Sequence, residues 1–269
     1  MNSVFEKLSR SIRYHYFGRK NKWTFPPTIS HLAGGKMAQG TYESNVSETL
    51  TRIVQKGDVF IDIGANVGYF SRMASEVIGA DGAVYAIEPD VANYCALSEN
   101  TAQFSNVTTS HVAISDKTGF TRMNHSTNAA CHSLVNTDNY LDGKQFMVCT
   151  ITLDHLWEHF LKEKKINVLK IDVEGAEIMV LNGMEKILSA EAVENMIIEY
   201  CPRILKNAGF NELEYYHKIS LFSSIQIMDD IYRSMVKDGK INSLSEFKHI
   251  SKVLMDEEHA VNINLLCQK

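Results

Sequence analysis

The chain has 269 residues, 45% of them hydrophobic and 22% charged, with four prolines. That composition belongs to ordinary globular domains and excludes fibrous, low-complexity and disordered classes. A formal net charge of −5 speaks against a protein that coats nucleic acid, because neutralising many phosphates calls for a basic domain, so no nucleic-acid partner is expected.

Residues 1–45 read as an N-terminal extension. Val4, Phe5, Leu8 and Ile12 recur at helical spacing and predict a short amphipathic helix over 3–17, with Lys7, Arg10 and Arg13 among them. Such a basic helix either packs on its own domain or makes peripheral membrane contact. Pro26-Pro27 and Gly34-Gly35 read as turns. The chain has no apolar core of a signal peptide and no run of about 20 apolar residues, so no transmembrane segment is expected. Cys95, Cys131, Cys149, Cys201 and Cys267 are odd in number and lack C-x-x-C spacing. Free thiols in a cytoplasmic protein are expected, with neither a zinc site nor a disulfide framework.

A domain is expected over 46–269. It opens with a helix over 47–55, a buried strand over 59–63 ending at Gly64, and a helix over 67–77. Gly79 and Gly82 bracket a turn, and a second strand over 84–87 ends at Glu88-Pro89. A helix over 92–103 and a strand over 107–113 follow. Short apolar strands alternating with helices predict a parallel sheet with helices on both faces. Residues 115–150 form a polar insertion near the expected site, in which 120–123 and 146–151 pair as a ribbon around a loop of roughly twenty residues. The alternation resumes with a helix over 153–161, a strand over 167–172, a helix over 176–188 and a strand over 196–199. Two last strands are expected near 222–228 and 261–266.

The segment Asp62-Ile63-Gly64-Ala65-Asn66-Val67-Gly68 joins the first strand to its helix. Glycine there permits backbone angles closed to other residues and lets a ligand lie against the main chain. The helix behind it turns free N–H groups and a positive dipole end toward that ligand. The spacing is D-x-G-x-x-x-G, looser than the G-x-G-x-x-G turn that seats a pyrophosphate, and no Gly-Lys-Ser/Thr follows. A nicotinamide oxidoreductase and a P-loop are disfavoured on that ground. Asp62 suits the cationic end of S-adenosylmethionine, which carries an amine and a sulfonium. Glu88, ending the second strand, is placed to accept hydrogen bonds from ribose hydroxyls.

Together with Ile87-Glu88-Pro89, Thr152-Leu153-Asp154 and the run Leu169–Glu177, that segment resembles the FkbM family of methyltransferases, over roughly residues 46–210. The resemblance implies an α/β, Rossmann-like class I fold: a seven-stranded, mostly parallel sheet with its last strand antiparallel and helices on both faces. It implies S-adenosyl-L-methionine as cofactor and O-methylation, commonly of sugar hydroxyls or polyketide-like products. By resemblance, Asp62, Gly64, Asn66 and Gly68 would hold the methionine part and Glu88 the ribose. Val112 and Ala113 would lie beside the adenine, and Asp116 would hydrogen-bond the base unless Ser115-Asp116 only caps a turn.

Ligands of open α/β sheets bind beyond the carboxyl ends of the strands, where Asp172 ends the fourth strand. Strand alternation places Lys170 on the same face as Asp172. Asp172 is a candidate general base, Mg²⁺ ligand or holder of a substrate hydroxyl, and Glu199, on the neighbouring strand end, is its candidate companion in either role. The competing reading makes Asp172 and Glu174 caps of a helix beginning at Gly175, with Glu177 a partner of its dipole. His125, His132 and Ser133 in the polar loop are further candidates. The expected activity is O-methyl transfer to a sugar or glycan hydroxyl. A non-sugar small molecule is the alternative acceptor, and a non-catalytic scaffold of the same fold is the second alternative.

Overall fold

Runs of β-branched and aromatic residues make the strands, and turns rich in glycine and acids end them. In the computed structural model, which describes Gly18 and residues 21–127, 132–137, 141–257 and 261–269, the strands are β1 (Val59–Ile63), β2 (Ala83–Ile87), β3 (Val107–Ser110), β4 (Ala113–Ile114), β5 (Gly119–Ser126), β6 (Leu141–Ile151), β7 (Ile166–Ile171), β8 (Val193–Tyr200), β9 (Ser224–Ile227) and β10 (Ile263–Gln268). Seven form one sheet in the order β3-β2-β1-β7-β8-β10-β9. The chain builds outward from β1 through β2 to β3, then returns to build outward from β7. The order therefore reverses between β1 and β7, which pair in parallel. That switch point is where a crevice opens in sheets of this kind. β10 runs antiparallel to both β8 and β9, as expected for the last strand.

Strand alternation divides the core. Ile61, Ile63, Leu169 and Ile171 face one apolar cluster, and Phe60 and Val168 face the other with Leu50 and Phe70. Asp62 and Lys170 follow Phe60 and Val168 on that second side, and they are register partners across β1 and β7. Ile29, Met37, Trp23 and Phe25 of the N-terminal segment pack into the same cluster. Cys95, Cys149, Cys201 and Cys267 are free. Among the described residues no helix is long and apolar enough to cross a membrane.

The helix expected over 3–17 lies outside the described residues. Elsewhere the structure departs from the sequence reading at four places. Gly34 and Gly35, read as a turn, sit inside the helix His31–Gln39, which Ser30 caps at one end and Gly40, at φ 73°, ends at the other. The strand expected over 107–113 breaks at His111–Val112, and β4 leaves the main sheet to pair with β6 in a second sheet, β4-β6-β5. β5 and β6 are longer than expected, so their connection is shorter. The helix expected over 176–188 is two, Glu177–Asn182 and Glu185–Ser189. It breaks at Gly183, where a Cβ would lie 2.1 Å from the Ser115 carbonyl oxygen, and Asp154 caps the second piece by accepting from the amides of Lys186 and Ile187 at 3.0 Å each.

Candidate active site

The glycine turn is built against two strand ends. The amides of Gly64 and Ala65 both donate to the Ile87 carbonyl at 3.0 Å, and the Asn66 amide donates to Glu88 Oε2 at 2.8 Å. Gly64 has φ 79°, and a Cβ on it would sit 1.8 Å from the Asp172 carbonyl oxygen. The first glycine thus lets β1 leave the sheet directly over the end of β7. Gly68, at φ 86°, begins the helix Tyr69–Ile78 with no side-chain cap.

Two cavities meet over this turn. One, of about 510 Å³, is walled by Ile87, Val112, Ala113, Ile114, Met123 and Leu134, with Glu88, Asn93 and His132 as its polar edge. The other, of about 740 Å³, is lined by Tyr42, Glu43, Tyr69, Phe70, Lys170, Glu199 and Asn262. Gly64, Asn66, Asp172 and Glu174 belong to both walls.

The second cavity is a chamber of acids around one ammonium. Lys170 is 2% exposed, its Nζ lies 2.7 Å from Asp172 Oδ2, and it sits 4.8 Å from the centre of the Phe70 ring. Burial alone would lower the Lys170 pKa, but the charges of Asp172, Asp62 and Glu43 outweigh it and the net direction is upward. Glu199, 6% exposed, accepts from the Asn262 amide. Its carboxyl is pushed well above the usual range by burial and then by Asp172 and Glu174. Glu174 and Glu43 are raised for the same reason, burial first and the Asp172 charge next. Glu43, Asn66 and Glu174 all hold left-handed backbone angles, φ 41°, 51° and 55°. Left-handed non-glycine residues are uncommon, and they cluster where function over-determines the backbone.

The sequence candidates therefore separate. Gly64, Asn66, Glu88, Ala113 and Asp172 line the first cavity, and Lys170, Asp172 and Glu199 the second. Asp62 lies fully buried, with Oδ2 accepting from Ser71 Oγ at 2.6 Å and Oδ1 without a partner. Asp116 is in neither wall: its Oδ1 accepts from Ser115 Oγ and its Oδ2 faces Lys117. His125 pairs with Asp142 at 3.0 Å, and Ser133 Oγ donates to the Glu174 carbonyl at 2.7 Å. Neither Asp172 nor Glu174 caps a helix. The helix begins at Glu177, whose carboxylate instead accepts from the amides of Val173 and Gly175 and pins the strand-end loop. Tyr42, Glu43 and Asn262 are additions that no motif announced. The Mg²⁺ reading of Asp172 and Glu199 loses its support, because Asp172 is engaged by the Lys170 ammonium and, among the described residues, no group of three or more His, Cys, Asp or Glu is arranged to hold a metal ion.

A parallel sheet with its last strand antiparallel in the penultimate place, a glycine turn at the switch point and an acid ending the next strand define a Rossmann-like class I methyltransferase. The family described as Methyltransferase FkbM domain matches residues 62–236, and the chain belongs to it. The fold is similar to that of an S-adenosylmethionine-dependent O-methyltransferase from Thermotoga maritima, at 14% identity and TM-score 0.44, covering 85% of this chain and 65% of that one. It is also similar to an rRNA methylase from Streptococcus thermophilus (13% identity, 85% and 95% covered, TM-score 0.44). A third is Aeropyrum pernix fibrillarin, solved with natively bound S-adenosyl-L-methionine (12% identity, 79% and 68% covered, TM-score 0.42). No curated protein matches the chain in sequence.

The residues fit the cofactor that this family uses. Asp62 Oδ1 is an orphaned buried acceptor in the strand that enters the turn, suited to a cationic amine. Glu88 accepts a backbone amide on each oxygen and a further bond from the Asn93 side chain, which leaves a lone-pair site of the carboxylate for a ribose hydroxyl. Burial lifts the Glu88 pKa from 4.5 to about 7. Between those values the folded chain holds a proton that the unfolded chain has released, so the Glu88 contribution to stability falls as pH rises through that window. Hydroxyl donors favour the carboxylate, so adenosylhomocysteine affinity is expected to rise between about pH 6 and 8. Calorimetry across that range should show the rise in the wild type and a flat, weaker profile in Glu88→Gln; an equal slope in the variant would assign the titration to another group.

Proposed function

We propose that the chain is an S-adenosylmethionine-dependent O-methyltransferase whose acceptor is a hydroxyl of a sugar or glycan. One observation carries the reading: the chamber that adjoins the glycine turn is crowded with hydrogen-bonding groups, Glu43, Asp172, Glu199, Asn262 and Lys170, beside the rings of Tyr42 and Phe70. A polyhydroxylated acceptor offers a donor and an acceptor at each hydroxyl, and rings cover its apolar faces.

In this assignment Asp62, Gly64, Asn66 and Gly68 hold the methionine end, Glu88 holds the ribose, and Ala113 lies beside the base. When bound, the cofactor supplies a methyl carbon made electrophilic by the sulfonium. Transfer to the acceptor oxygen, with adenosylhomocysteine leaving, would require loss of the hydroxyl proton, and Asp172 would take it. Glu43, Glu174 and Glu199 are all pushed toward their protonated forms, which suits them to donate to acceptor oxygens. Asp172, in its ion pair, is the chamber acid suited to receive a proton. Lys170 orients that carboxylate and leaves Oδ1 for the acceptor. Positioning contributes much of the rate, and the base adds to it.

The test is transfer of labelled methyl from adenosylmethionine to a panel of saccharides. The expected product is a methyl ether that survives mild alkali. A base-labile ester or a methylated amine would overturn the oxygen-and-sugar reading, and tight adenosylhomocysteine binding without transfer to any acceptor would favour the scaffold.

A further inference from the structure

We infer that His132 is a cofactor-binding residue, donating a hydrogen bond from Nε2–H to an acceptor atom of the nucleoside. The inference rests on the reading of the first cavity as the nucleoside site.

His132 stands in the wall of that cavity with Glu88 and Asn93, and it is 8% exposed. Its Nδ1 lies 2.9 Å from the Ser126 amide nitrogen. A backbone N–H can only donate, so Nδ1 is the bare, accepting nitrogen and the proton of the neutral ring sits on Nε2. Among the described residues the acid paired with Nε2 is Asp90, whose Oδ2 is 3.7 Å away, beyond hydrogen-bond reach. The other Asp90 oxygen is committed to the amides of Ala92 and Asn93 at the start of the helix Val91–Thr101. A ring more than nine-tenths buried thus presents a donor at the cavity wall, with no acceptor in hydrogen-bond range among the described residues.

The surroundings favour the neutral ring. The groups facing it are Asp90 from the helix start, His125 from β5 with its ring 4.9 Å away, and Asp142 behind His125 on β6. Burial lowers the His132 pKa, and Asp90 only partly opposes it. A neutral donor suits an uncharged nucleoside. Glu88 on the same wall is an acceptor once ionised, so the two residues then read opposite sides of the ligand's hydrogen-bonding pattern. Next to His132, the bond from Ser133 Oγ to the Glu174 carbonyl ties the same loop to the lip shared by both cavities.

The test reads the imidazole directly in the full-length protein. ¹⁵N-resolved spectra of the histidine rings are recorded during titration with adenosylhomocysteine, and the His132 signals are assigned with His132→Gln. The expected result is a shift of Nε2 on binding while Nδ1 remains unprotonated. Calorimetry should find His132→Phe, which keeps the ring and removes the donor, about three- to tenfold weaker for adenosylhomocysteine. His132→Gln, which restores a donor of similar reach, should recover most of that loss. An unmoved Nε2 signal while binding proceeds would overturn the inference, as would equal affinity in the phenylalanine variant. The spectra do not depend on the phenylalanine variant's fold. A wild-type protein that binds no adenosylhomocysteine would instead sink the cofactor reading on which the inference stands.

Discussion

Asp172→Asn is expected to cut turnover by about 10²–10⁴-fold while adenosylhomocysteine affinity stays within a few-fold of wild type. The substitution preserves shape, and the amide oxygen can still accept from Lys170. What it removes is a proton acceptor at the lip where the two cavities join. The neighbouring acids make poor substitutes. Burial, the first cause of the upward shift in Glu199, Glu174 and Glu43, stays in place when the Asp172 charge that adds to it is removed, and still favours their protonated forms. Lys170 keeps its register partner Asp62 and the hydrogen bond to the amide oxygen, so the protein should still fold, and a melting curve run beside the kinetics checks that. Losing one partner of a buried pair outright costs about 3–5 kcal/mol, and the retained hydrogen bond and remaining acids should hold the loss below that range. Turnover within threefold of wild type would remove Asp172 as base and make Glu43 the next residue to examine.

The largest structural effect is expected from Gly64→Ala. At φ 79° a side chain is already unfavourable, by about 1–2 kcal/mol. The decisive term is the contact of 1.8 Å between the new Cβ and the Asp172 carbonyl oxygen. That oxygen belongs to backbone that cannot give way, because the Asp172 amide donates to the Ile63 carbonyl and fixes the end of β7 against β1. Relief requires parting the two central strands, so the variant should lose more than about 4 kcal/mol and with it the cofactor turn. Gly40→Ala is the control: its φ is 73°, in the left-handed region, but nothing lies within 4 Å of the added atom. Denaturant midpoints should show a small loss at Gly40 and collapse or insolubility at Gly64. Equal midpoints would mean that the strand ends are looser than their geometry indicates.

Much of this site is legible without coordinates because its signals are local. The D-x-G-x-x-x-G turn, Glu88 at the end of the next strand, and Lys170 two residues before Asp172 follow from strand period and turn chemistry. The pairing of Lys170 with Asp172 needed only that alternation, and the 2.7 Å contact agrees with it. His132 was visible as a loop histidine among several, but its place beside Glu88 was not, since the ribbon that carries it joins the cavity through tertiary pairing. Tyr42 and Glu43 carried no signal at all. They reach the chamber because the helix Ser44–Ile53 packs with Val46 and Leu50 on the Phe60 face of the sheet.

The sequence by itself determined the alternation of strands and helices, the family, the cofactor turn and the acid-rich end of β7. Each is written in neighbouring residues, where backbone sterics and side-chain period act over a few positions. The tertiary structure alone decided that Asp172 belongs to both cavities, that Glu43 and Asn262 join Glu199 around Lys170, and that Gly64 must remain glycine because of a carbonyl far along the chain. Those outcomes depend on which strand ends meet at the switch point. Burial then turns such meetings into chemistry, because desolvation shifts a carboxyl only once its neighbours have closed around it.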